Sequence, residues 1–175
     1  IRKKIVGVES GITGRVVDAA SDLGAEMYGL QHRVKDEASL ARKIATDFVD
    51  QSLKFPDQTV AQVGDKIGDS LRYTMVFDDA DYVDGVSRAV RDLTERGYEL
   101  AKPPKNFWSV PNDDLPYNGI NMNWRAPDGT LVEIQFHTEA GLETKQLIHP
   151  LYEKQRQIGL DSIEFERLRL LMQKT

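Results

Sequence analysis

Glu133, Gln135 and His137 stand at every second position of one short run. A strand repeats every two residues, so a carboxylate, an amide and an imidazole at this spacing share one of its faces. Val132, Ile134 and Phe136 fill the alternate positions and give that strand a core-facing side. Three such groups on rigid backbone can form the floor of a catalytic site. The competing reading is a half-buried strand whose polar side faces water.

A second set of residues suits phosphate. Lys35, Ser39 and Lys43 are spaced by four and share a stripe if a helix carries all of them. Asp36 can cap a helix running to about Gln51. Lysines and a hydroxyl beside a helix N-terminus are suited to hold an anion. Arg33 precedes them in what reads as an extended segment, where its planar guanidinium can stack on a base. A solvated helix face with incidental lysines would look the same. Asp69 lies just before a run of β-formers, Leu71 to Phe77, and Arg72 lies within it. A carboxylate at a strand edge suits a hard cation such as Mg²⁺, although a turn-capping aspartate has the same local pattern. The acidic run Asp78 to Asp81 lacks the glycine and later glutamate of a calcium loop and reads as a helix cap. The histidines have no metal-ligand spacing, which argues against zinc.

These groups need elements to carry them. Val16, Val17, Ala20, Leu23 and Met27 predict a helix over residues 10–28. Leu40, Ile44 and Phe48 give the helix after Asp36 its apolar stripe. Pro56 is expected to open a short helix ending near Ile67 and Gly68. A further helix runs to Arg96, with Gly97 as its stop, and Tyr98 to Ala101 is a short strand. Residues 102–116 form a long loop with four prolines, carrying Phe107 and Trp108. After Thr138 the chain turns helical, Pro150 interrupts the run, and a last helix spans about 162–173.

The run Ile120 to Arg125 decides how the polar strand is paired. Pro127, Asp128 and Gly129 suit a three-residue hairpin loop with Gly129 in the left-handed conformation. That loop pairs Ala126 with Thr130, which puts Asn123 opposite Glu133, Asn121 opposite Gln135 and Met122 opposite Ile134. All large apolar residues then share one face and all polar ones the other. A two-residue loop at Asp128 and Gly129 would put Trp124 opposite Glu133 and spoil both faces. The correct register therefore gathers Asn121, Asn123, Glu133, Gln135 and His137 on one surface.

The chain of 175 residues is long enough for one domain with a real core. Hydrophobic content of 40% and charged content of 29% suit a globular protein. No apolar run approaches a membrane span, and no signal peptide is visible. The start at Ile1 reads as a processed product or an excised domain. With no cysteine, disulfides and thiolate metal sites are excluded; this suits a cytosolic protein and equally one unfolded for export. A net charge of −5 argues against a general nucleic-acid binder.

Taken together, several segments resemble the RelA/SpoT-type nucleotide pyrophosphokinase (alarmone synthetase) domain. They are Arg33 to Lys35 with Ser39 and Lys43, Gly68 to Arg72, Tyr117 to Gly119, Val132 to Gln135, and His149 with Leu151 and Tyr152. Their order and spacing cover about 30–156 of a single domain spanning 1–175, with flanking helices at 1–29 and 157–175. The resemblance implies an α+β fold, a mixed sheet flanked by helices and related to nucleotidyltransferases. It implies transfer of the β,γ-pyrophosphate of ATP to the 3′-hydroxyl of a purine nucleotide. By the same resemblance Arg33 would stack on adenine, while Lys35, Ser39, Lys43 and Arg72 would hold ATP. Asp69 and Glu133 would bind Mg²⁺, with Glu133 also taking the hydroxyl proton. Gln135 and His137 would orient the acceptor, beside Asn121 and Asn123, with Tyr117 stacking on its base. In the guanosine-specific synthetases the metal aspartate sits where this chain has Ile67, and a tyrosine follows the glycine where this chain has Ile120. The wording is closer to the divergent toxin branches, with either adenosine or guanosine products open, action in a cytoplasm after delivery as an effector, and an immunity protein as a partner. Pyrophosphorylation of a tRNA 3′ end and a non-catalytic nucleotide-binding module are the alternatives.

Overall fold

The computed structural model describes residues 1–109, 117–155 and 163–173. The sheet is mixed, with strand order β1-β2-β6-β5-β3. These strands are β1 (Glu26–Tyr28), β2 (Arg72–Phe77), β3 (Glu99–Leu100), β5 (Ile120–Arg125) and β6 (Leu131–Thr138). A short β4 (Lys105–Asn106) pairs with the other end of β5. Among the described residues only the β2–β6 pair is parallel; the other pairs are antiparallel. The fold is α+β, with six helices among the described residues: α1 (Arg2–Leu23), α2 (Glu37–Ser52), α3 (Val60–Asp65), α4 (Tyr82–Glu95), α5 (Glu139–Gln155) and α6 (Ile163–Gln173).

One face of the sheet is the core. Tyr73, Met75 and Phe77 of β2, Met122 and Trp124 of β5, and Val132, Ile134 and Phe136 of β6 pack with Ile12 and Val16 of α1 and Val86, Ala89 and Leu93 of α4. The hairpin forms as its parity predicts. Gly129 has φ +84°, Ala126 N–H donates to the Thr130 carbonyl at 2.8 Å, and Asn123 pairs with Glu133, Met122 with Ile134 and Asn121 with Gln135.

Several boundaries differ from the sequence expectation. The first helix spans α1 rather than 10–28. Gly24 adopts φ +71° and ends it, and Met27 then enters β1 against Met75. Leu30–His32 is a single 3-10 turn and Arg33, with φ −62° and ψ −33°, closes it, so Arg33 is not extended. The short helix starts at Val60, not Pro56, because Thr59 and Gln62 form a reciprocal capping box there. Asp81 occupies the N-cap of α4 but makes no side-chain cap bond. Pro150 lies inside α5 rather than breaking it. Pro150 and Gln146 are both exposed, so the carbonyl that loses its donor lies at the surface. The expected Lys102–Pro116 loop contains β4; its residues 110–116, and Arg156, lie outside the described residues.

Candidate active site

The opposite face of the sheet carries polar rows built by strand register. Arg72, Glu133 and Asn123 stand side by side across β2, β6 and β5. Thr74, Gln135 and Asn121 form the next row, and Val76 and His137 the row after. The parallel pairing of β2 with β6 therefore sets Arg72 in register with Glu133.

The loop before β2 brings the second carboxylate over this face. Gly68 passes close against Asn123: a Cβ added there would lie 1.8 Å from Asn123 Oδ1, so that side chain would have to shift. The backbone next to Asp69 is thus seated directly on the neighbour of Glu133. The run 33–35 lies along 70–72, with Lys35 N–H bonded to the Ser70 carbonyl at 3.0 Å and Val34 bridged to Leu71. Lys35 Nζ donates to Asp69 Oδ2 at 2.6 Å. Burial raises the Asp69 pKa, but the Lys35 hydrogen bond and the charges of Lys35, Lys43 and Arg72 outweigh it and hold the carboxyl below its usual range.

Two of the expected ATP ligands are engaged elsewhere. Arg33 pairs with Glu9 of α1 and donates to the Leu30 carbonyl oxygen. Ser39 gives its N–H to the Asp36 carboxylate at 2.9 Å, and its hydroxyl accepts from Arg42 at 3.3 Å. Lys35 precedes the cap of α2, so it does not continue the helical stripe of Ser39 and Lys43. The carboxylate of Asp36 also occupies the anion position at this helix start. Lys43 spans to Asp47 at 3.5 Å.

At the other end of the rows the groups bury one another. The Tyr117 hydroxyl donates to Asn121 Oδ1 at 2.7 Å. Its ring packs on Phe107 at 4.8 Å and on His137 at 5.3 Å. Burial, then the Glu133 charge, pushes the Tyr117 hydroxyl well above its ordinary pKa. His137 is fully buried. Burial, then the charge of Lys145, pushes its pKa down to about 3, so the ring is neutral at any ordinary pH. Trp108 is half-exposed and donates its indole N–H to the Tyr82 hydroxyl at 3.2 Å, which anchors the loop.

Lys145 on α5 reaches this face and was missed by sequence reasoning. Its Nζ bonds Gln135 Oε1 at 2.5 Å, lies 3.3 Å from His137 Nε2, and sits 5.8 Å from the Tyr117 ring centroid. A signal was present. Leu142, Lys145 and Ile148 recur at helical spacing, and a lysine inside a buried stripe is an anomaly.

The donor set fits a magnesium ion. Asp69 Oδ1 is buried without a hydrogen-bond partner, although its other oxygen is held by Lys35. Glu133 is the carboxylate in register with Asn123, the residue that Gly68 contacts. Two carboxylates, completed by substrate phosphates and water, suit the way Mg²⁺ is bound. No group of three or more His, Cys, Asp or Glu among the described residues could hold a metal by itself.

The mixed sheet flanked by helices is the fold of the alarmone synthetases. The fold matches that of a GTP pyrophosphokinase family protein from Streptococcus pneumoniae with TM-score 0.60 at 17% identity, covering 98% of this chain and 83% of that one. It matches the type VI effector Tas1, solved with its immunity protein, with TM-score 0.58 at 16% identity over 99% of this chain and 91% of that one. It also matches small alarmone synthetase 1 from Bacillus subtilis bound to its product pppGpp, with TM-score 0.52 at 17% identity over 81% and 66%. No protein-family model matches the sequence, and no curated protein does. Among the described residues no helix is long and apolar enough to cross a membrane.

Proposed function

We propose that this chain is an ATP-dependent nucleotide 3′-pyrophosphokinase that makes (p)ppApp or (p)ppGpp and acts as a delivered effector domain with a cognate immunity protein. The observation that carries the reading is the seat of Gly68 on Asn123. It sets a lysine-bound carboxylate with a free buried oxygen beside the Arg72–Glu133 row. The likeness to Tas1 and to the synthetases supports the effector role and the chemistry.

In the proposed reaction the acceptor 3′-oxygen bonds to the β-phosphorus of ATP. The bond from that phosphorus to the α,β-bridging oxygen breaks, and AMP leaves with that oxygen. The hydroxyl proton passes to Glu133. Lys35, Lys43 and Arg72 neutralise the phosphates, which is most of what such a transfer needs. Asp69 and Glu133 would hold Mg²⁺, which supplies further charge neutralisation. Asn121, Gln135 and Tyr117 would position the acceptor, and neutral His137 would support Tyr117 from below. ATP binding would require Arg33 to leave Glu9 before it could meet adenine.

Labelled ATP and Mg²⁺ incubated with AMP, ADP, GDP or GTP, followed by mass spectrometry, tests the reading. A product carrying an added pyrophosphate is expected with at least one acceptor. No such species with any of them refutes it.

A further inference from the structure

Three side chains from two elements form a directed chain of hydrogen bonds. Lys145 Nζ donates to Gln135 Oε1 at 2.5 Å, and Gln135 Nε2 donates to Glu133 Oε1 at 2.6 Å. An ammonium has only donors and a carboxylate only acceptors. Gln135 stands between them, so its amide has one permitted orientation. Flipping it would set oxygen against carboxylate and NH₂ against ammonium. Gln135 is 4% exposed, so water is poorly placed to relieve either clash.

Lys145 has no carboxylate in ion-pair contact among the described residues. Its charged neighbours are Arg72 on β2, which repels it, and Glu133 on β6, which attracts it through the amide. The remaining titratable groups around it, His137 and Tyr117, are neutral. A buried ammonium is costly without compensation. Here the compensation is an amide oxygen, an imidazole nitrogen and an aromatic face.

We propose that Lys145 is a positioning residue for Glu133. Acting through Gln135, it ties Oε1 of the glutamate to the strand and leaves Oε2 to face the cation and the acceptor hydroxyl. The catalytic consequence rests on the pyrophosphokinase reading; the relay itself does not. The lysine lies on a different element from the carboxylate it orients, so the packing of α5 on the sheet sets the geometry of the site.

The test has two arms. In the first, the side-chain amide protons of Gln135 are followed by NMR in the free protein. They should exchange slowly with water in wild type and at least about ten times faster in K145M, as expected when a buried network loses a member. Unchanged exchange overturns the relay, whether or not the protein turns over. In the second, K145M should lower kcat by about 10- to 100-fold, the usual effect of losing a partner that orients a metal-binding group, while KM for ATP stays within about twofold because Lys35 and Lys43 are untouched. K145R, which keeps a donor, should recover part of the loss. The Q135A/K145M double variant should be no slower than Q135A alone. Multiplicative losses would mean that Lys145 acts independently and would overturn the proposal. An inert wild type with slow Gln135 exchange would instead refute the proposed function and leave the relay standing. If K145M does not fold, K145Q takes its place with the same readouts.

Discussion

Gly68→Ala tests how closely the Asp69 loop must approach the sheet. The added methyl would lie 1.8 Å from Asn123 Oδ1 and 2.9 Å from its Cγ. Ordinary contact begins at 3.4 Å, so the two groups must separate by about 1.6 Å. Asn123 is short and only 9% exposed, which leaves it little room to swing aside. Overpacking of this kind costs about 1–3 kcal/mol. If the loop lifts instead, Asp69 moves away from Glu133 by a similar distance, and displacements near 1 Å can cost about a hundredfold in rate. The expected result is a lower melting temperature and a rate reduced by about two orders of magnitude. Asn123→Ala removes the obstructing atoms, so G68A/N123A should regain most of the stability lost by G68A. Thermal melts and product formation from ATP and a purine nucleotide read both effects. A G68A variant with wild-type stability and rate would refute the claim that this contact sets the carboxylate spacing.

Glu133→Gln should abolish product formation while changing stability by no more than about 1 kcal/mol, since it is nearly isosteric and half-exposed; survival of activity would remove Glu133 from the mechanism. His137 has a folded pKa near 3 against an ordinary 6.5. Between those values the unfolded chain binds the extra proton, so stability is lost as pH falls from about 6.5 toward 3, by up to about 1.4 kcal/mol per pH unit. Denaturant unfolding at pH 7, 5.5 and 4.5 should show a shallower loss in H137N than in wild type, and equal slopes would contradict the burial argument. Gly129→Ala forces an L side chain to φ +84° and should cost about 1 kcal/mol in denaturant unfolding without altering the site.

The hairpin could be read from the sequence because its determinants are local. Pro127, Asp128 and Gly129 fix the loop, and alternation along Ile120 to Arg125 and Leu131 to Phe136 leaves only one register that keeps both faces consistent. That register alone placed Asn121, Asn123, Glu133, Gln135 and His137 on one surface. The cap at Asp36 and the stop at Gly97 were legible for the same reason. Met27 shows the limit of periodicity. It continues the helical spacing of Leu23, yet Gly24 turns the chain and Met27 joins the sheet.

What the sequence determined by itself was therefore the identity of the reactive groups and the face that carries most of them, since backbone periodicity and turn chemistry act over a few residues. Only the tertiary structure decided which distant groups meet. The parallel pairing of β2 with β6 puts Arg72 beside Glu133, the Gly68 loop lands on Asn123, Arg33 is drawn to Glu9, and α5 swings Lys145 onto Gln135. All but the last join residues more than twenty positions apart, and all four meetings are set by how helices and strands bury their apolar faces together, which no short window of residues encodes.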